Sequence, residues 1–480
     1  MNILIEIDSQ QKGLFMSIGQ HFLNQKNEVA FIARDEKVEK LIKNNIKGQN
    51  YKIFLLPDFQ GKPKIQNNEK VMEESCKLEK QYGINFSFLM SKDRAFGRGY
   101  LFNAIKYPKV LRSKWTKIYK YKTINDKFNF FNYIFDDFKP NLILSHSRTY
   151  ELNIIANYHS VKYLTLTTLR FGSRLFWSDN EFLTSSKLIN SIKTNILKDV
   201  HALKDIKYEQ LEESRLAHKD IDYSFLGAIK ASYEQILKEV KQILLNNRKK
   251  NSYTLFGWIP TRFRRYLIYK FLTSKGVVPG DKKIGKYIYF PLHLEPEIAL
   301  LGASPEFNNS MELATWLAKS LPVDFNLVIK EQPFSFGIRP KWFYEQLLEI
   351  PGVYFAKPQV HPWDWIKGSS IVSTISGTAG VEGVYFKKPV MSFGKHQFIN
   401  YLPTVKHCTS FFDTKENFEK LISLEQKSEI FELSKKSLMS AMSENSFDLP
   451  EYKYKYKSEK FENEMAKIVI TELEKYLDFN

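Results

Sequence analysis

Apolar runs alternate with polar, helix-forming segments in the first part of the chain. Buried parallel strands are short, continuous apolar runs joined by helices, and this spacing matches that pattern. Helical spacing appears at about 13–26 and 36–44, and a charged, mostly helical stretch covers about 64–135. The predicted strands are 2–8, 27–34, 51–58, 141–146 and 162–168. These elements predict a first Rossmann-like domain over residues 1–180.

The alternation returns sharply at residue 286 and predicts a second βα domain over 281–425. Its predicted strands are 286–293, 325–333, 353–358, 370–376 and 389–394, with helices near 310–320, from 341, near 362–367 and from 378. Residues 181–280 are helical and charged, and they predict an inserted or connecting region. Residues 426–480 predict two closing helices. The predicted fold class is therefore α/β, with two Rossmann-like domains facing a cleft, an inserted helical region and C-terminal helices.

Length and charge narrow the classes of function. A chain of 480 residues exceeds one hydrophobic core, and its formal net charge of +18 requires an anionic partner or surface. Cys76 and Cys408 lie far apart and match no metal or redox spacing. The N-terminus lacks the pattern of a signal peptide, and no apolar segment approaches the ~20 residues that span a bilayer. We therefore expect a cytoplasmic protein.

The segment from Ser373 to Glu382 carries the sharpest chemical signal. A predicted strand ends in Ser376-Gly377-Thr378, where a helix begins. Glycine lets a ligand approach the backbone, and the N–H groups and dipole of a helix N-terminus suit a phosphate. Glu382 follows one to two turns later, where its carboxylate can accept hydrogen bonds from ribose hydroxyls. The alternative is an ordinary capped helix whose glycines serve close packing.

Two more polar segments follow predicted strands of the same domain. Lys330 and Glu331 end one strand, and Arg339 follows in a loop held by glycine and proline, where it could clamp a phosphate. His293 lies in the stiff segment Phe290–Glu297, after the domain's first strand. A solvated arginine and a helix-capping loop are the structural alternatives. Together the three turns predict a site at one edge of the sheet.

The first domain offers weaker candidates. Asp8 and His146 follow predicted strands, so a base or positioning acid and a proton shuttle are hypotheses for them. Arg170 follows another strand. Loop or capping roles compete with each of these assignments, and His361, before Pro362, is better interpreted as the start of a helix.

Three motifs in order and spacing resemble the capsule polysaccharide biosynthesis family of glycosyltransferases. They are FPLHLEPE, KEQPFSFGIRP and TISGTAGVEGVYFKKPVMSFG, within about 285–405. The resemblance implies a GT-B-like fold and a nucleotide-sugar donor. Gln332 stands where the family often has histidine. Ser376 to Glu382 is also similar to the nucleotide-binding turn of UDP-sugar 2-epimerases, which implies that Ser376 contacts phosphate and Glu382 contacts ribose.

The resemblance is looser in the first half of the chain. Ser91–Arg94 and the segment 169–174 look familiar from the same family. We therefore assign Arg94 and Arg170 to acceptor binding. Lys395 follows the last predicted strand of the second domain and joins Arg339 in neutralising donor phosphate. Glu331, Asp8 and His146 are the candidate catalytic groups.

Two basic stretches, 98–122 and 248–275, lack acidic residues and are interleaved with aromatic ones. Such composition suits helices that pack their aromatic side chains inward, an anionic membrane surface, or the backbone and bases of nucleic acid. No recognised nucleic-acid-binding motif accompanies these stretches, so nucleic acid is the least favoured partner.

The leading hypothesis is a metal-independent GT-B glycosyltransferase that uses a nucleotide-sugar donor and no separate cofactor. Its acceptor would be a growing cell-surface oligosaccharide or polysaccharide, free or lipid-linked, at the inner face of the cytoplasmic membrane. No DxD-like metal motif follows a predicted strand, which favours leaving-group stabilisation by the protein. The alternatives are a sugar-nucleotide 2-epimerase and a non-catalytic factor that binds nucleotides or polyanions.

Overall fold

The computed structural model describes residues 1–7, 11–48, 50–101, 111–209, 221–244, 256–296, 298–307, 309–424, 428–449 and 463–478. The chain forms two compact bodies, each assembled from separate stretches. The first contains Met1–Leu89, Trp115–Lys187 and Met442–Asn480, and the second contains Met90–Lys114 and Leu188–Ala441. The predicted division of the chain into four segments stays a prediction.

The first body contains a seven-stranded sheet in the order β13-β6-β5-β4-β1-β2-β3. Strands β1 to β5 run parallel, whereas β6 is antiparallel to β5 and β13 is antiparallel to β6. Their bounds are Asn2–Ile7, Glu28–Ala33, Tyr51–Leu55, Leu142–Ser145, Lys162–Thr168, Arg174–Ser178 and, for β13, Phe447–Asp448. The order β3-β2-β1-β4-β5 is that of the Rossmann fold.

Helices cover this first sheet, and local sequence explains their ends. The side chain of Asp35 accepts hydrogen bonds from two N–H groups at the start of Glu36–Asn45. Asn67 caps Asn68–Tyr82 in the same way, and Gly83 ends that helix with a φ of 62°. The helices wholly within this body are Lys12–Asn24, Glu36–Asn45, Asn68–Tyr82, Lys117–Phe138, Tyr150–Tyr158 and Asn463–Asp478.

The last helix of the chain packs on the first one. Val469 and Leu473 of Asn463–Asp478 share a buried apolar core with Phe15 of Lys12–Asn24. At the edge of this contact, His21 Nε2 lies 2.9 Å from a carboxylate oxygen of Glu474. The closing helix therefore completes the core of the first sheet.

The second body contains a six-stranded, parallel sheet in the order β12-β11-β10-β7-β8-β9. The strands β7 to β12 are Lys286–Pro291, Phe325–Lys330, Val353–Phe355, Ile371–Thr374, Val390–Ser392 and Val405–His407. In chain order this is the 3-2-1-4-5-6 arrangement of dinucleotide-binding sheets. The sheet order therefore reverses between β7 and β10.

Helices pack on the second sheet around a core that includes Ile288, Phe290 and Leu327. The helices wholly within this body are Phe225–Leu244, Ile259–Lys275, Ile298–Ala303, Ser310–Lys319, Lys341–Leu348, Pro362–Gly368, Thr378–Tyr385 and Phe411–Ile422. The helices at the boundaries between stretches of the two bodies are Phe86–Lys92, Ser186–Asn195 and Ser428–Glu444. Short 3-10 helices are Arg98–Tyr100, Leu111–Lys114, Val200–Ala202, Pro333–Ser335 and Phe398–Tyr401.

The predicted α/β class with two Rossmann-like sheets is confirmed. The sequence prediction missed three strands, β6, β12 and β13, all at or next to an edge of a sheet. Among the described residues, no helix combines the length and apolar character needed to cross a membrane.

Candidate functional site

The reversal of strand order in the second sheet brings two of the predicted turns together. His293 follows β7, and Ser376-Gly377-Thr378 follows the neighbouring β10. Ligands of open α/β sheets bind at such a switch point, outside the carboxyl ends of the strands. The backbone N–H of Ser376 donates a hydrogen bond to His293 Nε2 at 3.2 Å, so the two turns are in direct contact.

The turn after β10 leaves little space for a side chain at its second position, Gly377. A Cβ atom on Gly377 would lie 3.0 Å from His293 Nε2 and 3.1 Å from Thr374 Oγ1. The Gly377 N–H donates to Thr374 Oγ1 at 3.0 Å, which fixes the turn from the strand side. Gly377 and Thr378 are half-buried, so solvent reaches the tip of the turn.

The helix Thr378–Tyr385 starts at this tip. Helix geometry leaves the N–H groups of its first residues, Thr378 and Ala379, without acceptors inside the helix. These groups and the hydroxyl of Thr378 can donate to an anion, whereas Ser376 is only 2% exposed. The arrangement has the chemistry of a phosphate site.

Glu382 lies on the same helix and is only 5% exposed. One carboxylate oxygen accepts a hydrogen bond from Trp363 Nε1 at 2.9 Å. Burial raises the pKa of Glu382 to about 7, and the hydrogen bond from Trp363 opposes part of that rise. Glu382 in turn adds to the effect of burial in holding the pKa of Tyr289 well above its usual value. A buried carboxyl that titrates near neutrality is a feature of functional sites.

Trp363 is held by the capping histidine of its helix. His361 Nδ1 accepts the Trp363 backbone N–H at 3.2 Å, at the start of Pro362–Gly368. Burial lowers the pKa of His361, and nearby Lys330 acts in the same direction, while Asp364 opposes them. The interpretation of His361 as a helix start is therefore confirmed.

Arg339, predicted to clamp phosphate, lies in the interior and is 1% exposed. Its Nη1 donates to both carboxylate oxygens of Glu331, at 2.7 and 2.8 Å, and its Nη2 donates to Glu295 Oε2 at 3.0 Å and to the His293 carbonyl oxygen. Burial lowers the pKa of the guanidinium, but the two carboxylates outweigh burial and the net shift is upward. This geometry favours a structural ion-pair role over a phosphate clamp.

Glu331, the candidate catalytic group of this domain, is engaged on both carboxylate oxygens. Besides Arg339, it accepts the Tyr344 hydroxyl at 2.7 Å and the Gln332 backbone N–H at 2.8 Å. Glu295 is similarly satisfied, since it accepts both the N–H and the hydroxyl of Ser310. The geometry thus favours a role for both carboxylates in holding strand ends.

Lys330 is also interior, at 3% exposure. Its Nζ donates to the carbonyl oxygens of Lys357 and Pro358, at 3.3 and 3.2 Å, in the loop after β9. Burial lowers the pKa of Lys330 to about 8, although Glu331 opposes the shift. Lys395, by contrast, has an exposed side chain after β11, and its backbone N–H donates to Glu306. Lys395 is thus accessible to an external anion.

The candidates of the first body lie at its own strand ends. His146 follows β4, with Nδ1 2.7 Å from Gln11 Nε2 and 3.2 Å from the Leu166 carbonyl oxygen. Arg170 is half-buried and adopts a φ of 62°. Asp8 lies outside the described residues. Arg94, also half-buried, belongs to the stretch Met90–Lys114 of the second body.

The basic stretches are described only in part, since 102–110 and 248–255 lie outside the described residues. In the first stretch, Lys117 lies over the ring of Tyr121, 4.9 Å from its centre. Arg112 lies over the ring of Phe96, 5.2 Å from its centre. Part of the basic surface there packs on aromatic rings within the chain.

Three residues of the site were not singled out from the sequence. They are Trp363, which binds Glu382, Thr374, which fixes Gly377, and Glu295, which pairs with Arg339. Thr374 and Glu295 belonged to segments that were noted for other residues. Trp363 follows the helix-start signal His361-Pro362, which is the one clue the sequence offered. Within the described ranges, no three His, Cys, Asp or Glu side chains gather as a metal-binding group.

No family model and no curated protein match this chain. Among solved structures, it is similar to the UDP-GlcNAc 2-epimerase of Neisseria meningitidis bound to UDP-GlcNAc, at 12% identity, covering 98% of this chain and 99% of that one, with a TM-score of 0.24. It is also similar to the KpsC beta Kdo 2,7 transferase of Thermosulfurimonas dismutans, at 15% identity, covering 60% of this chain and 78% of that one, with a TM-score of 0.28. It is similar as well to the calicheamicin glycosyltransferase CalG4, at 11% identity, covering 100% of this chain and 98% of that one, with a TM-score of 0.28.

At these TM-scores and identities, the neighbours bear on neither substrate nor reaction.

Proposed function

We propose that this chain is a glycosyltransferase that takes a sugar from a nucleotide-activated donor and adds it to a growing capsular or related cell-surface polysaccharide. The observation that carries the proposal is the pairing of Ser376-Gly377-Thr378 with Glu382 at the switch point of the second sheet. A phosphate turn and a buried acceptor for a diol share one helix there. That combination suits a nucleotide better than phosphate alone.

The spacing along the helix supports a nucleotide ligand. Thr378 and Glu382 are four residues apart, which is about 6 Å along a helix axis. A phosphate at the N-terminus of the helix would leave a ribose beside its next turn. The Glu382 carboxylate accepts there, and Trp363 holds it in place.

The reaction would develop negative charge on the donor phosphate. The bond between the anomeric carbon and the phosphate oxygen breaks, and an acceptor hydroxyl oxygen bonds to that carbon. The helix N-terminus and Lys395 would stabilise the departing nucleotide phosphate, which calls for no metal ion. The acceptor proton needs a base, for which we propose Asp8 or His146, and we propose Arg94 and Arg170 as contacts of the acceptor.

A non-catalytic nucleotide-binding role is the second candidate. It is favoured by one observation, the complete engagement of Glu331 by Arg339, Tyr344 and the backbone of Gln332. Gln332 itself supplies a neutral amide at the position where the family often has histidine. Binding without turnover would be the result in that case.

Calorimetric titration with UDP, CMP and GDP, followed by their sugar conjugates, tests both candidates. We expect one nucleotide to bind and Glu382→Ala to weaken that binding about tenfold or more, since an acceptor of two hydroxyls is lost. Glu345→Ala, on an exposed helix position of the same body, is the matched control and should bind normally. Transfer is supported if nucleotide is released only when an oligosaccharide acceptor is added. Equal affinity for the two variants would overturn the assigned pocket.

A further inference from the structure

The helix Phe225–Leu244 turns its apolar side chains toward solvent. Its buried residues are small, namely Gly227, Ala228 and Ser232. Nine large apolar side chains of the helix are each at least 38% exposed, and together they form what we term the apolar stripe: Phe225, Leu226, Ile229, Tyr233, Ile236, Leu237, Val240, Ile243 and Leu244. A surface helix of a soluble protein normally faces the other way.

The apolar stripe is continuous and uncharged. With 100° between successive residues, its nine side chains fall within an arc of about 120°. Every residue of the helix within that arc is apolar. The opposite side of the helix, which includes Gly227 and Ala228, lines a groove of about 500 Å³ together with Arg262 and Arg265. The stripe therefore faces away from the body's interior over a length of about 30 Å.

Positive charge borders one side of the apolar stripe. On the helical projection, Lys230 and Lys241 lie immediately beside it, with Glu234 beyond them. The other side is bordered by Ser232, with Glu239 beyond it. The neighbouring helix, Ile259–Lys275, has no acidic residue, and its two lysines, Lys270 and Lys275, are exposed. Its arginines lie on the groove or donate to the carbonyl oxygens of the loop 336–337. The two helices meet where Phe225 contacts Phe263 and Tyr266, with ring centres 6.0 and 5.7 Å apart. The apolar stripe thus has a lysine-bearing border on its own helix.

We propose that the apolar stripe docks the protein onto an anionic lipid bilayer, with the helix Phe225–Leu244 lying in the plane of the headgroups. Its apolar arc would enter the boundary of the acyl chains, while Lys230 and Lys241 bind anionic headgroups. Charge complementarity selects the bilayer over a second copy of this chain. Two copies joined antiparallel through the stripe would bring their lysine borders together, on a protein with a net charge of +18.

This inference is independent of the proposed nucleotide site, and it places the proposed reaction at the surface of a bilayer. A soluble sugar donor needs no membrane, whereas a lipid-linked acceptor would be met there. The nucleotide affinity of a stripe variant, measured without vesicles, should therefore equal that of the wild type. Failure of docking and failure of nucleotide binding are thereby distinguishable.

Vesicle co-sedimentation of the full chain tests the proposal. The vesicles contain phosphatidylglycerol and phosphatidylcholine in equal parts, or phosphatidylcholine alone. Val240→Glu places a carboxylate at the centre of the stripe, and Val323→Glu makes the same exchange at a fully exposed position outside it. We expect binding to the anionic vesicles only, about tenfold weaker for Val240→Glu and unchanged for Val323→Glu.

The lysines supply the second arm of the test. Lys230→Gln with Lys241→Gln should weaken binding about thirtyfold at low salt, since each cation near the surface contributes to the attraction. Circular dichroism checks that the variants are folded. Three results would overturn the proposal: no sedimentation with anionic vesicles, equal losses for both valine variants, or a dimer in light scattering that Val240→Glu dissociates. The last would assign the stripe to a second copy.

Discussion

The buried carboxyl of Glu382 gives the sharpest quantitative prediction. Replacing it by glutamine removes the charge while keeping the side-chain length and an oxygen that accepts the Trp363 Nε1–H. If the ionised carboxylate is strained by burial, Glu382→Gln should make the folded chain more stable at neutral and alkaline pH. Most substitutions of buried residues act in the opposite direction.

The size of the effect follows from the pKa. Burial raises the pKa of Glu382 from 4.5 to about 7. One pKa unit corresponds to about 1.4 kcal/mol, so ionised Glu382 costs the folded chain roughly 3 kcal/mol. The folded state binds the proton more tightly than the unfolded state. Stability from this group is thus fully present below pH 4.5 and is lost as the pH rises through 7.

The gain from Glu382→Gln should therefore depend on pH. We expect almost no difference from the wild type at pH 4 and a gain of roughly 2–3 kcal/mol at pH 8. Urea unfolding at several pH values, followed by tryptophan fluorescence, measures it. Glu345→Gln, in an exposed ion pair with Lys341, is the control and should stay within about 0.5 kcal/mol at each pH. A pH-independent difference, or a loss of stability at pH 8, would refute the reasoning.

Glu382→Gln also tests what the Glu382 carboxylate does, given that its burial lowers the stability of the folded chain. If Glu382 accepts hydrogen bonds from ribose hydroxyls, Glu382→Gln should bind nucleotide about tenfold more weakly while unfolding later. Such a trade of stability for binding is common at functional sites. A purely structural carboxyl would gain stability with no change in affinity.

Three further substitutions probe the framework around the turn. Arg339→Met leaves two buried carboxylates without their ion-pair partner and should lower the free energy of unfolding in urea by about 3–5 kcal/mol. An unchanged free energy of unfolding would show that this ion pair does not stabilise the fold. Gly337→Ala should cost at least about 2 kcal/mol, because Gly337 has a φ of 80° and its Cβ would lie 2.5 Å from the Thr261 carbonyl oxygen; an unchanged midpoint would contradict this. Gly377→Ala brings a Cβ atom close to His293 and should reduce nucleotide affinity about tenfold. The free energy of unfolding should fall by less than about 2 kcal/mol. Unchanged affinity would place the nucleotide elsewhere.

The sequence predicted the long parallel strands well because their signal is local. Buried strands such as β7 and β8 are unbroken apolar runs bounded by charged or polar residues, so their positions were predicted to within a few residues. Two of the three missed strands lack that signal, whereas β6 contains the apolar run Leu175-Phe176-Trp177. β13 has two residues and β12 has three, and each pairs at an edge of its sheet. Their pairing depends on the finished sheet rather than on their own composition.

In the candidate site, too, the local features were predictable from sequence and the contacts between distant residues were not. The turn from Ser376 to Thr378 and the position of Glu382 follow from a strand, a glycine and a helix that are consecutive in sequence. The environment of Arg339 does not. Its carboxylate partners lie 8 and 44 residues away, and only the packing of β7 beside β8 brings them together. An arginine in a loop with glycine and proline gives no sign of such burial.

The contacts of Arg339 connect the framework to the turn. Its Nη2 donates to the carbonyl oxygen of His293, and the ring of His293 accepts the N–H of Ser376. The ion pairs with Glu331 and Glu295 fix the guanidinium, so they also fix the backbone that carries the histidine. Arg339 thereby acts on the phosphate turn through His293, as a positioning residue. Buried charge in this body holds the edge of the sheet in place, and the half-buried tip of the turn and the exposed Lys395 are left to meet an anion.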